Sequence, residues 1–260
     1  MVNKLKIVKA KYIGGKIISK LVFRPISLSY FLLILFLTLL FIAWLILTGG
    51  VFVKLLHLPP LFTIFIFLFS LFGSYINIPI RKVSSSEPII TVREITFFGV
   101  KWYIPEFSIT QRKTIIALNV GGALIPLFIS IYLLIFVIPK LELNPLITYI
   151  KILIALIIVT ITVHAVATPI KGLGIATPAF LPPFITALIS LLLYQFYIPS
   201  NPFIISYVSG SLGTLIGADL MNLNKISNLG APFVSIGGAG TFDGIYLTGL
   251  IAIFLTLLLI

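Results

Sequence analysis

Residues 202–223 read PFIISYVSGSLGTLIGADLMNL, an apolar run whose one charged residue, Asp219, lies close to its end. At 1.5 Å of rise per residue, such a helix covers a hydrocarbon core roughly 30 Å thick. Ser209, Gly213 and Gly217 recur at four-residue spacing, a small-residue ridge that lets membrane helices approach closely. On a regular 3.6-residue period Asp219 avoids that ridge and shares a face with Leu215 and Asn222. The stretch reads as a membrane helix that packs by one face and offers a carboxylate from another.

Comparable runs extend from Ile26 to Thr48, Pro59 to Ile80, Thr114 to Pro139, Pro145 to Thr168, Leu181 to Tyr197 and Asp243 to Ile260. With the first they make about seven spans of an all-α polytopic transmembrane bundle. Composition agrees: 60% of the 260 residues are hydrophobic and 9% charged, against roughly half apolar in soluble domains. The fifth span is approached through KGLGIATPAFLPPF, Lys171 to Phe184, whose prolines and glycines preclude a regular helix. At membrane depth such backbone is tolerated where protein or a water-filled cavity satisfies its polar groups.

The net charge of +12 is concentrated in short segments. Lys4, Lys6, Lys9, Lys11, Lys16, Lys20 and Arg24 form a basic arm without an acid and without a small-residue cleavage site behind it, which reads as an uncleaved interfacial segment. With the N-terminus in the cytoplasm and the C-terminus outside, the arm, the segment 81–113, Lys171 and Lys225 all fall inside, leaving Lys54, Lys140 and Lys151 toward the outside. This basic excess fits anionic lipid headgroups as partners and carries no nucleic-acid-binding pattern. Within 81–113, IITVREITFFGVKWYIPEF has two β-branched and aromatic runs flanking Phe98-Gly99-Val100, which fits a small cytoplasmic hairpin or β-lid and equally an amphipathic connector at the interface. Four parts follow: an arm over 1–25, a two-span hairpin over 26–80, a connector over 81–113 and a five-span core over 114–260.

The absence of cysteine excludes disulfides, thiolate metal sites and a cysteine nucleophile, and two histidines argue against a zinc protease; no metal site is expected and no motif names a cofactor. Ionisable groups in membrane spans are costly and mark functional sites. Asp219 near the end of the sixth span and Asp243 at the start of the seventh face the same membrane surface, as does His164 near the end of the fourth. Asn119, Lys171 and Asn222 are expected at the same level. Asp243 also suits the ordinary role of a helix N-cap, and His164 or Asn119 that of an interhelical hydrogen bond. The turn Ser235-Ile236-Gly237-Gly238-Ala239-Gly240 is aimed at a helix N-terminus, so Gly237, Gly238 and Gly240 form a candidate anion-binding loop.

The stretches NVGGALIP (119–126), HAVATPIKGLGIATPAFLPP (164–183), GTLIGADLMNL (213–223) and SIGGAGTFDGIYLTG (235–249) together resemble the archaeal and bacterial membrane proteins classed as domain of unknown function family 1614. The resemblance implies membrane residence and no established activity. A looser similarity is to intramembrane aspartyl proteases of the presenilin and signal-peptide-peptidase type. Gly217-Ala218-Asp219 and Gly240-Thr241-Phe242-Asp243 depart from the Gly-x-Gly-Asp pattern of those enzymes, and Pro178-Ala179-Phe180, similar to their Pro-Ala-Leu motif, precedes both aspartates. Three functions compete: a transporter or channel for an ion or small solute, a membrane-embedded hydrolase or lipid-modifying enzyme with Asp219, Asp243 and His164 as catalytic groups, and a scaffold or assembly factor. Oligomeric state is not encoded in these features.

Overall fold

A computed structural model describes residues 28–85, 88–97, 100–109, 112–170, 174–226 and 231–260; the basic arm and Lys171 lie outside the described residues. In chain order these form α1 (Leu28–Lys54), α2 (Pro60–Gly73), β1 (Asn77–Ser85), β2 (Pro88–Phe97), β3 (Val100–Ile109), β4 (Arg112–Asn119), α3 (Val120–Leu141), α4 (Pro145–Val166), β5 (Thr168–Ile170), β6 (Gly174–Ala176), α5 (Leu181–Tyr194), α6 (Pro202–Lys225), β7 (Phe233–Ile236) and α7 (Gly244–Leu259). Contacts divide the chain into two compact units, Met1–Leu45 and Ile46–Ile260. The described part of the first belongs to α1, which is apolar until Lys54. The site described below lies wholly in the second.

Among the described residues three helices, α3, α4 and α6, are long and apolar enough to cross a membrane. The apolar helices α2, α5 and α7 run 14, 14 and 16 residues, or about 21–24 Å at 1.5 Å per residue. That is short of a full crossing. The protein therefore has the helices of a membrane protein, but the expectation of seven full-length spans is met only in part. Helix starts follow from local chemistry. Asn144 precedes Pro145 and accepts from the Ile147 amide at 3.3 Å, while Asn201 precedes Pro202 and accepts from Phe203 and Ile204 at 2.9 and 3.2 Å. A side-chain acceptor followed by proline at the first helical position satisfies amides that the helix leaves unpaired.

The fold is not purely helical. β4 pairs antiparallel with β1 and parallel with β7, so three strands far apart in sequence form one sheet. The third span therefore starts at Val120: residues 114–119, Thr-Ile-Ile-Ala-Leu-Asn, continue the strand. Their β-branched residues and the two partner strands favour extended backbone over a further turn of helix. β2 and β3 pair antiparallel in register from Pro88↔Ile109 to Phe97↔Val100. The broken approach to α5 contains a second short antiparallel pair, β5 with β6.

Helix α6 is the axis of the second unit, with every residue from Ile204 to Ser211 buried. The expected small-residue ridge packs against α4: a Cβ added to Gly213 would lie 2.6 Å from Val159 Cγ1, and one added to Gly217 would strike the Thr160 carbonyl oxygen. On another face, a Cβ on Gly210 would lie 3.4 Å from the Gly249 Cα of α7. The sheet is tied to this bundle by an apolar cluster in which Ile116, Val234 and Ile236 meet Leu215 of α6 and Ile245 of α7. Beyond Thr214, α6 opens into a π turn over Leu215–Asp219 and tightens into a 3₁₀ turn over Leu220–Asn222. Such changes of pitch within a helix are frequent at functional sites.

Candidate functional site

The π turn carries Asp219 to the edge of a cavity of about 210 Å³ between the end of α6, the start of α7, β6 and β7. Asp219 and Asp243 line it together with Thr177, Thr214, Ser235 and the Gly237–Ala239 turn. Both aspartates are half-buried. No described residue donates a hydrogen bond to Asp219, and none of the described residues lining the cavity is basic. The Thr214 hydroxyl is buried and has no hydrogen-bond partner among the described residues.

Asp243 is differently held. Its extended backbone and carboxylate make it the N-cap of α7, accepting from the Ile245 amide at 3.0 Å and the Ala239 amide at 3.3 Å. Burial pushes its carboxyl above the ordinary carboxylate range, while these two amide donors pull it back. The capping role therefore coexists with a place in the cavity.

The other expected site residues divide into separate clusters. His164 Nδ1 is 3.2 Å from the Gly217 carbonyl and 3.3 Å from Asn222 Nδ2, which also donates to the carbonyls of Gly217 and Ala218 at 3.2 and 2.8 Å. Asn222 thus turns to the α4 side, whereas Asp219 turns to the cavity. A regular 3.6-residue period places the two on one face, but the side chains part: Asn222 closes on the Gly217 and Ala218 carbonyls while Asp219 lines the cavity. Asn119 is a structural brace: its Oδ1 accepts from the Gly122 amide at 2.9 Å, and its Nδ2 donates to Ser74 O at 2.8 Å and Asn77 Oδ1 at 3.0 Å.

Gly237 and Gly238 line the cavity, and Gly237 and Gly240 adopt the left-handed φ values of 71° and 65°. The expected anion-binding loop is otherwise engaged. Amides of Gly238 and Gly240 donate to Ser235 O at 3.1 Å and Gly237 O at 2.9 Å, and the Asp243 carboxylate occupies the Ala239 and Ile245 amides. An incoming anion would find a carboxylate already in that position. Glycine is needed here for backbone proximity instead, since a Cβ on Gly237 would approach Ala123 N and Cβ at 2.7 Å.

Three cavity residues were not evident from the sequence: Thr177, Thr214 and Ser235. Isolated hydroxyls in an apolar protein carry no signal until the fold brings them to one wall. Lys151, which charge counting leaves toward the outside, makes its contacts within the bundle. It is buried in α4, donating to Tyr194 O at 2.9 Å, Ser200 Oγ at 3.1 Å and the Ile198 carbonyl. Among the described residues no three His, Cys, Asp or Glu side chains gather as metal ligands would.

No curated protein and no solved structure matches this chain. A family model described as protein of unknown function (DUF1614) matches residues 71–255, a stretch that holds β1, every described residue of the cavity, and most of α7. The chain belongs to that family.

Proposed function

We propose that this protein is a membrane transporter or channel in which the Asp219/Asp243 cavity binds a cation or a proton at the cytoplasmic end of the bundle. One observation carries the reading: two carboxylates line one small cavity, and Asp219 receives no hydrogen bond or basic partner from the described residues. Two like charges in a partly desolvated space repel, and a positive species that enters relieves both the repulsion and the desolvation. Helix breaks that line a cavity are a recurring way of building such sites in transporters. The cytoplasmic assignment rests on the distribution of Lys and Arg, and reporter fusions should find the N-terminus inside and the C-terminus outside.

A paired-aspartate hydrolase uses the same two residues, and their shared cavity is the observation in its favour. The geometry of Asp243 weighs against it. Both its carboxylate oxygens are held by backbone amides, whereas acid–base catalysis by a carboxylate pair needs both members free to exchange protons with water. The test is reconstitution of the full chain in liposomes with flux of protons and of radioactive sodium and potassium measured under an imposed potential. Flux lost in Asp219→Asn supports the reading. Absence of any flux in the wild-type protein refutes it.

A further inference from the structure

Hydroxyl groups in membrane helices usually donate to the carbonyl four residues back. Ser130, Thr186, Ser190, Ser206 and Ser209 all do so, at 2.6–2.8 Å. Four other hydroxyls do not. Those of Tyr207, Ser211, Thr214 and Tyr246 are buried without a hydrogen-bond partner among the described residues. Three of them stand at i, i+4 and i+7 on α6, a single face. That face looks at α7: a Cβ on Gly249 would strike Ser211 Oγ and lie 3.2 Å from the Tyr207 ring, and one on Gly244 would lie 3.8 Å from Thr214 Cγ2. Tyr246, on α7, completes the group. Tyr207 is near the Ser211 hydroxyl and Tyr246 near that of Ser70, yet neither contact is a well-formed hydrogen bond.

The row has polar ends. Thr214 lines the Asp219/Asp243 cavity. Past Tyr207 the same seam continues with the Ser206 and Thr256 hydroxyls bonded at 2.7 Å. It then reaches the start of α6, where the Asn201 amide donates to Glu142 Oε1 at 2.9 Å and Thr148 Oγ1 donates to Glu142 Oε2 at 3.0 Å. Glu142, His57, Ser200 and Asn201 line a second cavity, of about 280 Å³, at that end. Carboxylates therefore stand at both ends of α6, with hydroxyls between them.

We infer that the species exchanged at the Asp219/Asp243 site is the proton, and that the seam of hydroxyls from Thr214 through Ser211 and Tyr207 relays it along α6 toward Glu142. This rests on the transport reading above and narrows it. Beyond the cavity a metal cation would need several oxygen ligands gathered at each point of its path, whereas the α6 hydroxyls stand singly along about 10 Å of helix, a path that a proton can follow. Each hydroxyl both donates and accepts, as a proton relay requires. In a transfer, the proton of the Asp219 carboxylic acid bonds to a lone pair of the next oxygen, a hydroxyl or an intervening water. That oxygen releases its own proton onward, and the Glu142 carboxylate takes the last one. Each hydroxyl ends with one hydrogen and must rotate before the next transfer.

The test uses the full chain in liposomes with a trapped pH dye and a potential set by a potassium gradient and valinomycin. Wild-type protein should carry protons, with no sodium or potassium flux above empty liposomes. Tyr207→Phe, Ser211→Ala and Tyr246→Phe, each checked for an unchanged melting temperature, should lower the proton rate tenfold or more in at least two cases. If one variant does not fold, the other two carry the test. Proton rates within twofold of wild type in the folded variants would overturn the relay. Sodium or potassium flux without proton flux would overturn the inference but leave the transport reading intact, whereas no flux of any kind would remove both.

Discussion

Replacing Asp219 by asparagine separates a functional carboxylate from a structural one, because the structure gives this side chain nothing to stabilise. No described residue donates to it, and it shares its cavity with a second carboxylate. A charge at the centre of a membrane helix costs about 2.5–3.5 kcal/mol on insertion scales. Asp219 is half-buried and close to the end of α6, so removing its charge should relieve about a third of that cost, ~1 kcal/mol. In a chain of this size the gain corresponds to a melting temperature higher by about 2–4 °C. Thermal unfolding in detergent at neutral pH, followed by intrinsic fluorescence, measures it, and the flux assay on the same preparation measures function. The expected pattern is lost flux in a protein at least as stable as wild type, the usual signature of a residue retained for activity. A melting temperature lower by about 5 °C or more would mean that the carboxylate has a stabilising partner, and would refute the argument from its isolation.

Asp243 should respond differently, since its charge is buried but also caps α7. Asp243→Ala should cost about 1 kcal/mol as the Ile245 and Ala239 amides lose their acceptor, and Asp243→Asn should keep most of the cap. Its carboxyl is raised in the folded protein. The stability of wild type relative to Asp243→Asn should therefore be greatest below the ordinary carboxylate value of about 3.9 and fall as pH rises from there through the raised folded value. A relative stability that rises with pH over that interval would contradict the buried charge. Gly217→Ala drives a Cβ into the Thr160 carbonyl and within 3.1 Å of the His164 amide, and should destabilise by about 1–3 kcal/mol. The same change at Gly50, where nothing lies within 4 Å, should be neutral or stabilise by roughly 0.5–1 kcal/mol in thermal melts. Lys151→Met leaves the Ile198 carbonyl and Ser200 without their ammonium donor, and a loss of about 3 kcal/mol is expected; a melting temperature equal to wild type would show that the buried charge was not worth its hydrogen bonds.

The helical bundle was legible because hydropathy and length are local properties, and the paired strands because two β-branched and aromatic runs flank Phe98-Gly99-Val100. The parallel pairing of β4 with β7 was not. Phe233–Ile236 is four residues long, and its partner, Ile115–Leu118, lies more than a hundred residues earlier. Neither segment alone distinguishes a strand from the end of an apolar helix. Once paired, the two strands bring Ser235 and the Gly237 turn to the cavity wall. The sheet that the hydropathy pattern conceals thus supplies one side of the candidate site.

The two aspartates could be placed at one membrane surface by counting turns, but their companions could not be chosen that way. Counting at 3.6 residues per turn puts Asn222 with Asp219 and keeps His164 in reach of both. The slower advance of the π turn brings Asp219 round to Thr214 and Ser235, while Asn222 and His164 close on the Gly217 carbonyl instead. Above the break, where α6 is a regular α-helix, the same counting succeeds: Tyr207, Ser211 and Thr214 keep one face, and that face meets α7. A regular helix thus carries a row of hydroxyls to the point where the helix breaks, and the break swings a carboxylate to the end of that row. If this placement of Asp219 serves the relay, inserting one alanine after Ala218 should turn the carboxylate by about 100° around the helix axis, away from the end of the row. The protein should then keep its helical circular dichroism and lose its flux. An insertion variant that still carried protons at the wild-type rate would show that the break in α6 does not position Asp219 for function.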